Sequence, residues 1–559
     1  MRIQSSFLVL YPQRIWRYGS VISTVWLVAS TATAATPSVG PQNPVPQQIP
    51  VSESLGHFET PDLAAQAALV AKRQTLGLSV LNRDLKFLRA SDGIASHHVT
   101  YQQQYGGLPV YHGEVIVHMD ALNRVSQLRS SLKVMVTPAG PSVASPVPTD
   151  STHAVRVALA AVHAQNPASI TPRALPVIFV RNGQPLVAWQ VDFRALKPLG
   201  DWEVVVANGT GEVLAQRNRI KRDAADPGQD PGPVSPPAPP APPSPPAPPS
   251  LLLNGTAKAF LPDPIRTSGN LALADLDGQD SDVLSAERKP VTLTELDGTG
   301  FLTGTYCRAQ LPSGRSFEPS LNFDYLRSDA RFDEVMAYYH ITAMEQYIQS
   351  LGFNNIQNRQ MIANVNLVPD DNSFYSPGDR SINFGTGGVH DAQDAEIIYH
   401  ESGHAIQDNQ VPDFGRDSQS GAIGEGFGDY WAGTNWAGTG PRGSEWDAFI
   451  GIWDAVAYNP SAGTTPAFLR RLDGTKRFPA DSNGEVHDDG EMWSASLWQV
   501  RGLIGKVNAD TVILESQFAY APDETFAEAA NALLDANQQM FHGTQQDDIK
   551  KVFTDRGLL

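Results

Sequence analysis

The segment Ile397-Ile398-Tyr399-His400-Glu401-Ser402-Gly403-His404-Ala405-Ile406 carries two histidines four residues apart, with a glutamate directly after the first. On a helix, positions i and i+4 share a face. His400 and His404 then project together and can place two imidazole nitrogens on one Zn²⁺. Glu401 stands beside that face, within reach of a water on the metal, where a carboxylate can act as general base. Such a motif also arises by chance, so its weight comes from the residues around it.

A catalytic zinc takes three protein ligands and keeps one position open. Gly424-Glu425-Gly426-Phe427-Gly428-Asp429 follows at a suitable distance. Glu425 completes a two-His, one-Glu set, and Asp429, one turn on, can accept the far N–H of a ligating imidazole and fix its tautomer. Further along, His487 lies in Gly484-Glu485-Val486-His487-Asp488-Asp489-Gly490-Glu491-Met492-Trp493. Amide hydrolysis builds an oxyanion that needs a positioned donor; His487 is the candidate, with Asp481 to orient it. Asn372-Ser373-Phe374-Tyr375 and Ser381-Ile382-Asn383-Phe384 have strand and turn character, and an exposed strand edge can hold an extended peptide by main-chain hydrogen bonds.

These residues must be positioned by helices, and Asp391 is a candidate N-cap for the one that carries His400 and His404. All of them lie in residues 251–559. That half holds 21 Lys and Arg against 44 Asp and Glu, whereas residues 1–250 hold 20 against 15. The two halves differ in charge character, and the net of −18 argues against nucleic acid as a partner. With 41% hydrophobic residues the chain can build cores, and its single cysteine, Cys307, excludes internal disulfides.

The N-terminus has Arg2, Arg14 and Arg17, an apolar run from Val21 to Ala29, and Ala32-Thr33-Ala34 as an A-x-A site. This predicts a cleaved secretory signal over residues 1–35, an extracellular protein, and no stable membrane association. Thirteen of 43 prolines fall between Pro227 and Pro249, which predicts an extended linker at 223–250. The basic residues Arg217, Arg219, Lys221 and Arg222 just before it predict an exposed site of proteolytic nicking. Between signal and linker, a helical pattern followed by alternating strands occurs twice, at 50–136 and 150–222. His97, His98, His112 and His118 lie in strand patterns without metal spacing.

At these motifs the chain resembles the fungalysin metallopeptidases, within the thermolysin-like group. The resemblance rests on His400, Glu401, His404, the Gly-Glu-Gly-aromatic-x-Asp run around Glu425, and the H-x-x-G-E-x-W pattern of His487, Gly490, Glu491 and Trp493. It extends upstream: Gln102–Asp120 looks like the core of the fungalysin/thermolysin propeptide module, and Trp189–Leu214 looks like a PepSY domain. It implies an α+β multidomain chain, with α+β propeptide domains before a two-lobed thermolysin-like catalytic domain at 251–559, β-rich in its first lobe and mainly α in its second. It further implies one Zn²⁺ on His400, His404 and Glu425, Glu401 as base, His487 on the oxyanion, Asp429 behind the first histidine, and Asn372 and Ser373 on the substrate backbone. Protein or peptide substrates, a preference for an apolar residue after the cut, and a prosegment that assists folding and blocks the cleft follow from the same likeness.

Two features depart from the pattern. No tyrosine stands at Arg416-Asp417-Ser418-Gln419, where thermolysin-like enzymes carry a second oxyanion donor. The calcium ligands of thermolysin are unmatched after Asp429, so zinc alone is predicted. The alternatives are a secreted non-catalytic zinc-binding or PepSY-type binding or inhibitor protein, disfavoured by the presence of Glu401 and His487, and a zinc hydrolase of non-peptide amides.

Overall fold

Ser96–Tyr105 and Leu108–Asp120 form an antiparallel pair, with Val99 opposite Val117 and Tyr101 opposite Val115 on the buried face. In the computed structural model, the described residues are 47–51, 58–135, 151–167, 170–222, 252–275, 278–458, 461, 463 and 465–559. The predicted signal and the proline-rich linker lie outside them.

Helix Pro61–Ala71 starts at Thr60, whose hydroxyl accepts from Leu63 N–H, and buries Ala64, Ala65, Ala68 and Leu69 on the first sheet face. Helix Ser151–Ala161 repeats this with Ala154 and Ala158 over Val191, Val204 and Val206. The two units predicted at 50–136 and 150–222 are not separate sheets. Val110 pairs with Ile178 in parallel, so strands Leu108–Asp120 and Arg173–Arg181 join both units into one nine-stranded sheet.

The following half has a β-rich part and a helical part. Strands Cys307–Gln310, Met361–Val368, Phe374–Ser376 and Ser381–Gly385 form one sheet, packed against helix Arg331–Ser350 around Met336, Tyr338, Ile382 and Phe384. Cys307 is fully buried there, and burial pushes its thiol up, so it acts as a small apolar residue. Helices Ser418–Trp436, Val486–Ile504, Lys506–Gln517, Phe526–Phe541 and Gln546–Asp555 enclose a second core that includes Phe427, Trp431, Trp493 and Phe553. Helix Ala395–Gln410 belongs to both: Ile397, Ile398 and Ala405 enter the first core, Tyr399 and Ile406 the second. A helix clamped on both sides is a rigid base for a site. Among the described residues no helix is long and apolar enough to cross a membrane.

The two halves of the chain meet extensively. Lys221–Arg222 adds an antiparallel strand to the edge of Phe374–Ser376, with Lys221 opposite Tyr375 and Arg222 opposite Phe374. The edge expected to be exposed is therefore covered by the strand Lys221–Arg222 from this chain's own first half. Arg129 is buried in ion pairs with Glu524 and, at 2.7 Å, with Glu528. Glu515 accepts from Ile94 N–H at 2.6 Å, Ala95 N–H at 3.1 Å and the Ser96 hydroxyl at 2.5 Å. The basic cluster is not exposed as predicted: Arg217 binds Glu203 and Asp413, Arg219 binds Asp201, and Lys221 binds the Gly415 carbonyl. Ion pairs within this half and the Arg217–Asp413 pair with the opposite half leave these side chains half-buried.

Candidate metal centre

The helix that carries the two histidines begins at Asp394, whose carboxylate accepts from Glu396 N–H at 2.8 Å. Asp391, the predicted cap, lies one short turn earlier and accepts from the Ser373 hydroxyl at 2.5 Å and Gly385 N–H at 3.2 Å instead. The helical spacing brings His400 and His404 onto one face, ring centroids 5.0 Å apart, both buried. Glu401 is fully buried on the same helix.

Helix Ser418–Trp436 supplies Glu425 and Asp429. Its start is fixed by reciprocal bonds between Asp417 and Ser420. The glycines around Glu425 have a steric cause. A Cβ at Gly428 would lie 2.8 Å from the His400 ring, and one at Gly426 would lie 2.4 Å from the Gly490 carbonyl oxygen. Only bare backbone lets this helix approach its two neighbours closely enough to deliver Glu425 to the histidines.

Glu425 Oε2 lies 3.2 Å from His400 Nε2 and 3.5 Å from His404 Nε2. All three ligand atoms fall within 4.8 Å of one another. A tetrahedral zinc with bonds of about 2.0–2.1 Å separates its ligands by about 3.3 Å, so this donor set fits zinc in chemistry and in spacing. His400 Nδ1 lies 3.0 Å from Asp429 Oδ1, which directs Nε2 to the centre. Burial pushes the Asp429 carboxyl up, but Arg470 and His400 hold it down at about 2. Burial likewise opposes ionisation of Glu425, and His487 and His404 hold it well below the carboxylate range.

His487, at the start of helix Val486–Ile504, points Nε2 at the same carboxylate, 3.4 Å from Glu425 Oε2. Its partner is not Asp481, which is exposed and accepts from Arg477 N–H at 2.8 Å. Glu485 takes that role, 2.6 Å from His487 Nδ1, while its other oxygen caps the helix through Asp488 N–H at 2.8 Å. Asp481 is too far back along the loop, whereas the cap position lies beside the imidazole.

Asn372 lines a cleft of about 310 Å³ together with Tyr458, Arg470, Glu485 and His487. Ser373 is buried and points its hydroxyl at Asp391 rather than into the cleft. Arg470, absent from the sequence reading, holds Asp429 through Nε at 2.8 Å and Nη2 at 2.8 Å. It lies on the two-residue strand Arg470–Arg471, too short for any periodic signal. Glu485 had a detectable signal, a carboxylate immediately before a helix start. Among the described residues, Asp371, Asp391 and Asp454 also bring carboxylate oxygens within 4.8 Å of one another. Asp275 is held in an ion pair by Arg327.

Residues 386–558 match the model of the fungalysin metallopeptidase (M36) family, and residues 89–132 match that of the fungalysin/thermolysin propeptide motif. The first match contains every candidate zinc ligand, and the second contains the Gln102–Asp120 stretch. No curated protein matches the chain. Solved structures that match include the Bacillus megaterium YpeB C-terminal domain, 10% identical, covering 31% of this chain and 70% of that one at a TM-score of 0.19.

Proposed function

From a chain whose residues 386–558 form a fungalysin metallopeptidase domain, the domain of a metalloendopeptidase, we propose an exported zinc endopeptidase made as an inactive precursor. The observation that carries the reading is the convergence of His400 Nε2, His404 Nε2 and His487 Nε2 on one oxygen of Glu425. Three imidazoles and a carboxylate gathered at a cleft suit hydrolysis better than a purely structural site.

Zinc held by His400, His404 and Glu425 supplies Lewis acidity and a water of lowered pKa. Glu401 takes the proton of the attacking water and returns it to the leaving amine. His487, kept charged by Glu485, donates from Nε2 to the oxyanion. Asp429, anchored by Arg470, holds His400 in the tautomer that presents Nε2. Asn372 and the Phe374–Ser376 edge align the substrate backbone in a two-lobed, thermolysin-like cleft, with Ser373 supporting that edge through Asp391.

The prosegment, composed of a propeptide domain at 50–136 and a PepSY-type domain at 150–222, inhibits by laying Lys221–Arg222 along the edge a substrate would use. A signal at 1–35 exports the precursor, and the linker at 223–250 joins the prosegment to the catalytic domain at 251–559. Chelator-sensitive clearing of casein by the processed chain tests the reading. Glu401→Gln retains zinc and lowers turnover by about 10²–10⁴; unchanged proteolysis by that variant sinks the assignment.

A further inference from the structure

Lys221 is where the prosegment reaches behind the metal ligands. Its side chain lines a small cavity together with His404, Gln407, Asp408, Gly415 and Gly424. Nζ donates to the Gly415 carbonyl at 3.2 Å. Burial lowers the Lys221 ammonium and Arg217 adds to this, while Asp413, Glu425 and Asp408 attract the charge and offset part of it. Gly415 has φ +83°, and a Cβ there would meet Lys221 Nζ at 2.5 Å. The position therefore needs glycine both for its backbone and for the ammonium's approach.

A second observation points to a ligand at the same place. Gln407 is 2% exposed, and neither its Nε2 nor its Oε1 has a hydrogen-bond partner, although both Gln407 and Lys221 line this cavity. Buried amides are almost always satisfied. A longer guanidinium, with its five N–H donors, can reach Gln407 Oε1 as well as the Gly415 carbonyl.

The strand direction assigns the pocket its side of the cleaved bond. A peptide in the register of Lys221–Arg222 runs antiparallel to Phe374–Ser376, so its following residues approach Asn372, which shares the cleft with His487 and Arg470. We infer that the Lys221 pocket is a substrate subsite that selects Lys or Arg on the N-terminal side of the cleaved bond, and that the prosegment occupies it as a substrate mimic. This rests on the peptidase reading above.

The full-length chain, allowed to mature, is assayed on fluorogenic peptides carrying Lys, Arg, Met or Glu at successive positions before a common cleaved bond. At one position kcat/KM should be at least tenfold higher for Lys and Arg than for Met, and lowest for Glu. Asp408→Asn should shrink that ratio. Equal values for Lys and Met at every position overturn the inference, whereas cleavage of no peptide at all counts against the peptidase reading. A second measurement needs no turnover. In the uncleaved Glu401→Gln precursor, Lys221→Arg should preserve amide protection across Phe374–Ser376, and the near-isosteric Lys221→Met should speed exchange there at least tenfold. Equal protection in the Met variant overturns a charge-selective pocket.

Discussion

Glu485 binds His487 and caps the helix that carries it: Oε1 lies 2.6 Å from His487 Nδ1, and Oε2 accepts from Asp488 N–H at 2.8 Å. One carboxylate thus fixes the imidazole's position, its tautomer and the start of the backbone that holds it. Its own carboxyl is lowered: burial raises it, but the His487 hydrogen bond and the Asp488 N–H outweigh that.

Glu485→Gln keeps an acceptor at the cap and removes the charge that favours the imidazolium. A hydrogen bond to a charged group contributes about 1.5–3 kcal/mol, so kcat should fall about tenfold or more with KM little changed. An unaltered kcat would leave Glu485 with the cap role alone.

Gly428→Ala tests the glycine account of the metal centre. The added methyl would lie 2.8 Å from the His400 ring, which is packed with Asp429 and Arg470 behind it and cannot yield. Overpacking of this kind costs about 1–3 kcal/mol. Zinc content measured by emission spectrometry should drop, and thermal unfolding should occur at lower temperature. By contrast Gly502→Ala, where an added Cβ meets nothing within 4 Å, should leave both unchanged.

Arg129→Ala should weaken the hold of the prosegment more than added salt does. Arg129 is 2% exposed and its partner Glu524 is fully buried, so ions screen this pair poorly. Removing one member of a buried pair costs about 3–5 kcal/mol. The two halves carry net charges of opposite sign, which makes exposed ion pairs between them sensitive to salt. The more exposed Arg194–Asp379 pair should supply most of that sensitivity. Partial proteolysis of the Glu401→Gln precursor at low and high salt, with and without Arg129→Ala, separates the two contributions.

The chemistry of the site was more legible in the sequence than its supports. His400 and His404 could be read because helical spacing alone brings them to one face, and Glu425 because an aspartate stands one turn after it; the structure brings the three ligand atoms together from two helices. Asp481 could not be told from Glu485, since both precede His487 in a loop and only the helix start decides which carboxylate meets the ring. Arg470 carries no local pattern; it reaches Asp429 through a short strand paired with Phe449–Ile450. The joining of the two units at 50–136 and 150–222 rests on one parallel bridge between distant residues, Val110 and Ile178, which periodicity does not encode. The basic cluster looked exposed because its acidic partner Asp413 lies about two hundred positions later.

Acidification should loosen the prosegment. Burial pushes His98 down to about 3 and holds His112 and His118 well below their ordinary value. His98 stacks on Phe518, and His112 faces Asp413 and Arg416, so docking keeps these rings neutral. Freed histidines bind protons below about pH 6.5. Their contribution to docking is complete above that pH and is lost as pH falls towards 3. Burial raises Glu515 and Glu524, the latter to about 7, on the same interface. Those two bind protons in the docked form and oppose the trend between about pH 7 and 4.5. Burial also raises the carboxyls of Asp201, Asp408 and Asp523 between the two halves, and the three imidazoles are expected to outweigh these groups. Hydrogen exchange of the Glu401→Gln precursor at pH 7.5 and 5 should report faster exchange in Ser96–Tyr105 and Phe374–Ser376 at the lower pH, after correction for the intrinsic rate. Replacing His98 with Asn, which keeps a polar partner for Ser96 and His118 but does not titrate, should flatten that difference; tighter docking at pH 5 would mean that the carboxylates dominate.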